Sequence, residues 1–167
     1  MIDVSSPDLD KAIKSVLDNL AGINHLYPGQ LELLQSLLQN DNIFYTSATN
    51  SGKTLPAVIY PYILKELNKL GYKFPVDPKA IFVTALNSIK VSLVNNVKNM
   101  GIDAVAVTSE NIKEIIDSST SVLFISPEVL KLPAVTQILL QHRSKFVLKV
   151  VDEAHLGKRK FKNFKTH

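Results

Sequence analysis

Apolar residues recur at helical spacing near the start of the chain. Positions 9, 12, 13, 16, 17 and 20 of "SSPDLDKAIKSVLDNL" share one face. Ser6 is the expected N-cap, with Pro7 at the first helical position and Asp8 in the first turn. "PGQLELLQSLLQN" repeats the amphipathic pattern and predicts a second helix from near Pro28. The pattern then changes: "NIFYTS" (42–47) is a short β-rich run that leads straight into a glycine–lysine turn. A helix is expected from Gly52 to about Leu70, with Pro56 tolerated in its first turn and Pro61 kinking it. Beyond it the chain alternates. Strands are expected at 80–86, 103–108, 121–126 and 146–155. Helices are expected over "SIKVSLVNNVKNM", stopping at Gly101, over "ENIKEIID", and over "PEVLKLPAVTQILLQH" with a break at Pro133. Apolar strands alternating with helices imply an α/β fold: a central, mostly parallel sheet with helices on both faces.

Composition narrows the class. The 167 residues suit one domain with a sizeable core, and 46% hydrophobic with 20% charged content suits an ordinary globular chain. There is no cysteine, which excludes disulfides and thiolate metal sites and fits an intracellular protein. The acidic start "MIDVSSPDLD" is not a signal peptide. The longest apolar stretch, "LPAVIYPYIL", is about half a membrane span and holds two prolines, so no membrane segment is expected. The net charge of +4 resides in "GKRKFKNFKTH", which holds five Lys/Arg (158, 159, 160, 162, 165) and no acid. With Phe161 and Phe164 inside it, this tail reads either as a phosphate- and base-contacting segment or as a solvated end.

The candidate chemistry starts at "SATNSGKT" (47–54). A strand, a tight turn and G-K-T opening a helix make a phosphate site, because loop and helix N–H groups point at the anion and the helix dipole adds to the attraction. Lys53 would reach the β/γ-phosphates and the Thr54 hydroxyl would hold Mg²⁺. The second element is "VLKVVDEAH", an apolar strand ending in Asp152 and Glu153. Carboxylates at the carboxyl end of a parallel strand lie where such sheets bind ligands. Asp152 there can hold Mg²⁺, partly through water, opposite Thr54. Glu153 can deprotonate an attacking water.

Together "ATNSGKT" and "DEAH" resemble the first motor domain of superfamily-2 helicases. The flanks "LYPGQLELLQSLLQNDNIFYTS", "FISPEVL" and "TALNSIKVSLVNNVKNMGI" are similar to the RecQ family's F-R-P-G-Q, S-P-E-R-L and S-P-L-I-S-L-M stretches. The resemblance spans about residues 20 to 156 and implies a three-layer RecA-like P-loop domain. It divides the chain into an N-terminal helix and lead-in (1–25), an incomplete helicase ATP-binding domain (26–157) and a basic tail (158–167). It implies ATP and Mg²⁺ as cofactors, with DNA, as single strand or fork, as partner. It also implies 3′–5′ translocation, and work in the nucleus of a eukaryote or otherwise in the cytoplasm or nucleoid. In the roles it implies, Gln30 reads the adenine edge and Tyr27, standing where the family has arginine, stacks on the base or packs. Thr49, Asn50, Ser51 and Gly52 join Lys53 and Thr54 in the phosphate loop; Asp152 assists Mg²⁺, Glu153 is the general base, and His155 couples ATP state to the other motifs. Lys53 and Glu153 are the catalytic pair. Leu86, Asn87, Ser88, Ser126, Pro127 and Glu128 fall where the family contacts the nucleic-acid strand, and Phe164 and Lys165 fall in register with its F-R. Ser126 before Pro127 is equally a good helix N-cap.

The departures matter as much. Asn50 and Ser51 replace loop glycines, although asparagine tolerates positive φ. After His155 the family's aromatic loop and S-A-T motif are absent, and so is a second motor domain with its arginine finger. The chain alone is therefore expected to bind ATP and hydrolyse it slowly at best. Two other readings stay open: a degenerate, non-catalytic nucleotide- or DNA-binding fragment, and the motor half of a DEAH-type RNA helicase.

Overall fold

Four parallel strands form the frame, in spatial order β2-β3-β1-β4. They are β1 (Lys79–Val83), β2 (Ala104–Ala106), β3 (Val122–Ile125) and β4 (Phe146–Val151). The computed structural model describes residues 3–39, 52, 54–84 and 87–151, with the backbone alone for 87–90. The expected strand at 42–47 and the acidic end of the last strand lie outside the described residues.

The helices are α1 (Ser6–Leu17), α2 (Pro28–Gln39), α3 (Thr54–Lys69), α4 (Asn87–Asn99), α5 (Ile112–Asp117), α6 (Pro127–Leu130) and α7 (Pro133–Gln141). Side chains alternate across the sheet and build two cores. Ala80, Phe82, Ala104, Val122 and Phe124 face α1, α3 and α4, whereas Ile81, Val83, Leu123 and Ile125 face α5, α6 and α7. Every residue of β1 and β3 is buried, the signature of a parallel sheet covered on both sides. The connection from β1 to β2 crosses one face through α4. Those from β2 to β3 and β3 to β4 run the other way across the other face, which keeps every crossover right-handed. No helix among the described residues is long and apolar enough to cross a membrane.

Several boundaries differ from expectation: the strands expected at 80–86, 103–108 and 121–126 are Lys79–Val83, Ala104–Ala106 and Val122–Ile125, and the helix over "ENIKEIID" starts at Ile112. Two further differences have a local cause. Ser5, not Ser6, caps α1: its backbone is extended (φ −64°, ψ 144°) and its hydroxyl accepts the Asp8 N–H at 3.4 Å, which moves Pro7 to the second helical position. The third helix begins at Thr54 because Gly52 has φ +67°, in the left-handed region that ends rather than starts helical geometry. That helix runs through Pro61 as one element, and Pro61 is buried within it.

The direction of α3 fixes where the site lies. Lys65 Nζ donates to Ser121 Oγ at 2.7 Å, immediately before β3, so the later part of α3 sits at the amino edge of the sheet. Its first turn therefore points at the carboxyl edge. At the amino edge a buried lysine ties the layers together. Lys79 Nζ donates to the Ser118 and Thr120 carbonyls at 2.8 Å each and pairs with Asp77 at 3.2 Å. Burial pushes its ammonium below the ordinary lysine value, and Asp77 pulls it part of the way back.

Candidate functional site

Tyr27 stands just before α2, and its carbonyl accepts the Gln30 and Leu31 N–H groups at 2.9 and 3.0 Å. The Gln30 side chain turns back, and its Oε1 accepts the Tyr27 N–H at 2.9 Å. This is the return half of a capping box, in which a third-position glutamine satisfies a backbone donor that the helix itself leaves free. The other end of the same amide leaves the helix: Gln30 Nε2 donates to the Gly52 carbonyl at 3.0 Å. Gln30 is buried, at 6% exposure, although its partners Tyr27 and Gly52 are exposed residues, so both bonds are partly shielded from water.

Gly52 is thus gripped from two sides, since its carbonyl also accepts the Leu55 N–H at 3.1 Å. A Cβ on residue 52 would lie 2.6 Å from Gln30 Nε2, closer than real Cβ contacts allow. Both the +67° φ and this approach require glycine. The turn delivers the chain into α3 at Thr54, which is half-buried. The first N–H groups of a helix have no intrahelical partner, and the first turn of α3 holds no acid to compete for them. The arrangement can hold an anion at the carboxyl edge, with an amide that reads hydrogen-bonding groups one step away.

The remaining expected residues divide into three groups. Tyr27 is 63% exposed and meets His25 edge-on, with ring centroids 5.3 Å apart, so its ring is open to a planar ligand. Ser126 follows β3 at the carboxyl edge, is buried, and spends its hydroxyl on the Val129 N–H at 3.4 Å as the cap of α6. Pro127 and Glu128 open that helix, and Asn87 and Ser88 open α4. Thr49, Asn50, Ser51, Lys53, Leu86, Asp152, Glu153, His155, Phe164 and Lys165 lie outside the described residues. The link between Gln30 and Gly52 was missed in the sequence. The only local signal for it is a glutamine three residues after the residue that precedes the helix.

A sequence profile of the DEAD/DEAH box helicases matches residues 27–166, most of the chain. The chain belongs to the DEAD/DEAH box helicase family. The all-parallel sheet flanked by helices agrees with the RecA-like α/β fold expected of such a domain. No individual curated protein matches the chain. A DEAD/DEAH box helicase domain is an ATP-dependent motor acting on nucleic acid, and the family works with ATP and Mg²⁺. The residues present fit a nucleotide: α3 opens just after Gly52 with no acid in its first turn, and the Gln30 amide stands against that glycine. Bound Mg²⁺ offsets the charge that develops on the transferring phosphoryl group.

Proposed function

We propose that this domain is the ATP-binding half of a RecQ-type DNA helicase motor. In this reading Mg-ATP hydrolysis drives 3′–5′ movement along a DNA strand once a second motor domain closes over the nucleotide. The observation that carries it is the Gln30 amide, which joins the segment ahead of α2 to the glycine of the phosphate loop. A surface glutamine would have no reason to be buried there. Gln30 takes the adenine edge and Tyr27 offers its exposed ring to the base. Lys53 meets the β/γ-phosphates, Thr54 and Asp152 hold Mg²⁺, Glu153 acts as base, and His155 couples the site to the strand. The "LYPGQ" and "SPEVL" stretches favour the RecQ type. Ser126 caps α6 by accepting the Val129 N–H, and the strand would pass this edge along Ser126, Pro127, Glu128 and the first turn of α4. Such an enzyme works where DNA is kept, in a nucleus or a nucleoid.

Calorimetric titration of the chain with Mg-ATP and Mg-GTP tests the nucleotide reading. ATP should bind more tightly than GTP, and Lys53→Ala should abolish binding. Gln30→Ala should erase the preference for adenine. Absence of ATP binding in the wild type would overturn the proposal. Matched DNA and RNA single strands test the second part, since a protein separates them largely through the 2′-hydroxyl. Tighter binding of RNA would replace DNA as the partner.

A further inference from the structure

The far end of α3 carries an open cavity of about 380 Å³ that plays no part in the nucleotide site. It is lined by Lys65, Asn68, Tyr72, Lys73, Phe74 and Val76, where α3 gives way to the loop before β1. Its size falls within the range of roughly 300–1,000 Å³ typical of small-molecule sites. It lies at the amino edge of the sheet, and α3 alone sets Lys65 roughly 16 Å from Thr54 at the helical rise per residue.

The walls are held in place. Asn68 Oδ1 accepts the Phe74 N–H at 2.7 Å, and Asn68 Nδ2 donates to the Phe74 and Pro75 carbonyls at 3.2 and 3.4 Å. The Tyr72 hydroxyl donates to Asp8 Oδ2 at 2.9 Å and accepts the Ser5 N–H at 3.2 Å. The Tyr72 and Phe74 rings lie nearly parallel, 25° apart, with centroids at 6.4 Å. Lys65 is steadied by Ser121 and by the Tyr62 ring, 5.3 Å from its Nζ. Neither Lys65 nor Lys73 pairs with a carboxylate among the described residues, and no acid lines the cavity.

Loop stability accounts for Asn68. Packing against the core accounts for Tyr72 and Phe74. Neither accounts for two lysines without acidic partners beside the pair. A purely apolar ligand would draw nothing from the two ammonium groups, and an acidic peptide would make no use of the rings. We infer that this cavity binds a nucleobase bearing a phosphate, with the ring against Tyr72 and Phe74 and the phosphate on Lys65 and Lys73. The same chemistry is offered by a free nucleotide and by one unit of a single strand. Stacking on aromatic rings tolerates any base, and lysines beside it attract the backbone charge. This inference does not rest on the helicase reading of the opposite edge.

The test uses the full chain carrying Lys53→Ala, so that the phosphate loop is silenced. AMP and an oligothymidylate of about ten nucleotides, a length within the usual single-strand site sizes, are titrated while backbone amide resonances are followed. Saturable shifts should centre on residues 72–76. Lys73→Glu, at an exposed position, should weaken binding by about tenfold, and Phe74→Ala by at least about fivefold. Tighter, strongly salt-dependent binding of the oligonucleotide identifies a strand as the source; tighter binding of AMP identifies a free nucleotide. The inference is overturned if neither probe shifts these residues, or if the shifts survive both substitutions. It is equally overturned if inorganic phosphate alone reproduces them, since the rings then take no part.

Discussion

Replacing Gly52 with alanine perturbs two things at once, and their sizes can be worked out. The residue sits at φ +67°, where an L side chain costs about 1–2 kcal/mol. The new methyl would also lie 2.6 Å from Gln30 Nε2, so the amide must move. Moving it loses the bond to the Gly52 carbonyl at 3.0 Å and loosens the bond from the Tyr27 N–H at 2.9 Å. At about 0.5–1.5 kcal/mol per bond these add about 1–3 kcal/mol. Gly52→Ala should therefore destabilise the domain by about 2–5 kcal/mol in urea unfolding. Gln30→Ala removes the same two bonds without the backbone strain, and should cost about 1–3 kcal/mol. Gly52→Ala and Gln30→Ala together should cost no more than Gly52→Ala alone, because the amide that the methyl displaces is already gone. The double-mutant cycle should give a coupling of at least about 1 kcal/mol. A Gly52→Ala cost below about 1 kcal/mol, or single effects that add to within about 0.5 kcal/mol, would refute the clamp.

The remaining predictions concern the scaffold. Lys79→Ala leaves the Ser118 and Thr120 carbonyls without their donor at the amino edge and should cost about 2–4 kcal/mol in a urea melt; a cost below about 1 kcal/mol would mean that water replaces the ammonium. Burial raises Tyr60 to about 12 from 10.0, so its stabilising effect is complete below pH 10 and is lost as pH rises through about 12. Wild type should therefore lose more stability over that window than Tyr60→Phe, and parallel curves would show that the phenol is not held neutral. Ser5→Ala removes the cap of α1 and should lower stability by about 0.5–2 kcal/mol, whereas Ser6→Ala should be nearly silent; the reverse order would restore Ser6 as the cap.

Local periodicity explains most of what could be read in advance. Strands at 79–83, 122–125 and 146–151 are apolar runs between turn signals, and α2, α4 and the break at Pro133 follow helical spacing and proline chemistry. The features that escaped are those decided at a distance. Ser5 and Ser6 are chemically alike, and only the extended backbone at Ser5 chooses between them. Lys79 looks like a polar residue ahead of a strand. It is buried because carbonyls 39 and 41 residues away meet its ammonium. Residues 71–76 carry no period, and it is Asn68 that folds them into a fixed cup. For the candidate site, the glycine–lysine turn is described only at Gly52 and Thr54 and the strand-end acids lie outside the described residues, whereas the contact between Gln30 and Gly52 spans 22 residues and has no local signal beyond the glutamine three residues after Tyr27.

That contact also bears on base selectivity in the proposed reading. The Gln30 amide cannot turn over without setting Nε2 against the Tyr27 N–H and Oε1 against the Gly52 carbonyl, so its remaining donor and acceptor keep one fixed sense. Adenine offers an amino donor beside a ring acceptor and matches that sense. Guanine offers an acceptor where adenine has its donor, and would face the Oε1 lone pair. Accommodating guanine means giving up both backbone bonds, about 1–3 kcal/mol, or roughly a 5- to 150-fold loss of affinity. The discrimination is therefore stored in the backbone positions of Tyr27 and Gly52 rather than in the glutamine alone. Any change that moves Gly52 also frees the amide. Gly52→Ala should then relax the preference for ATP over GTP by about the factor that Gln30→Ala does. A variant that lost stability while keeping full adenine preference would separate the clamp from base reading.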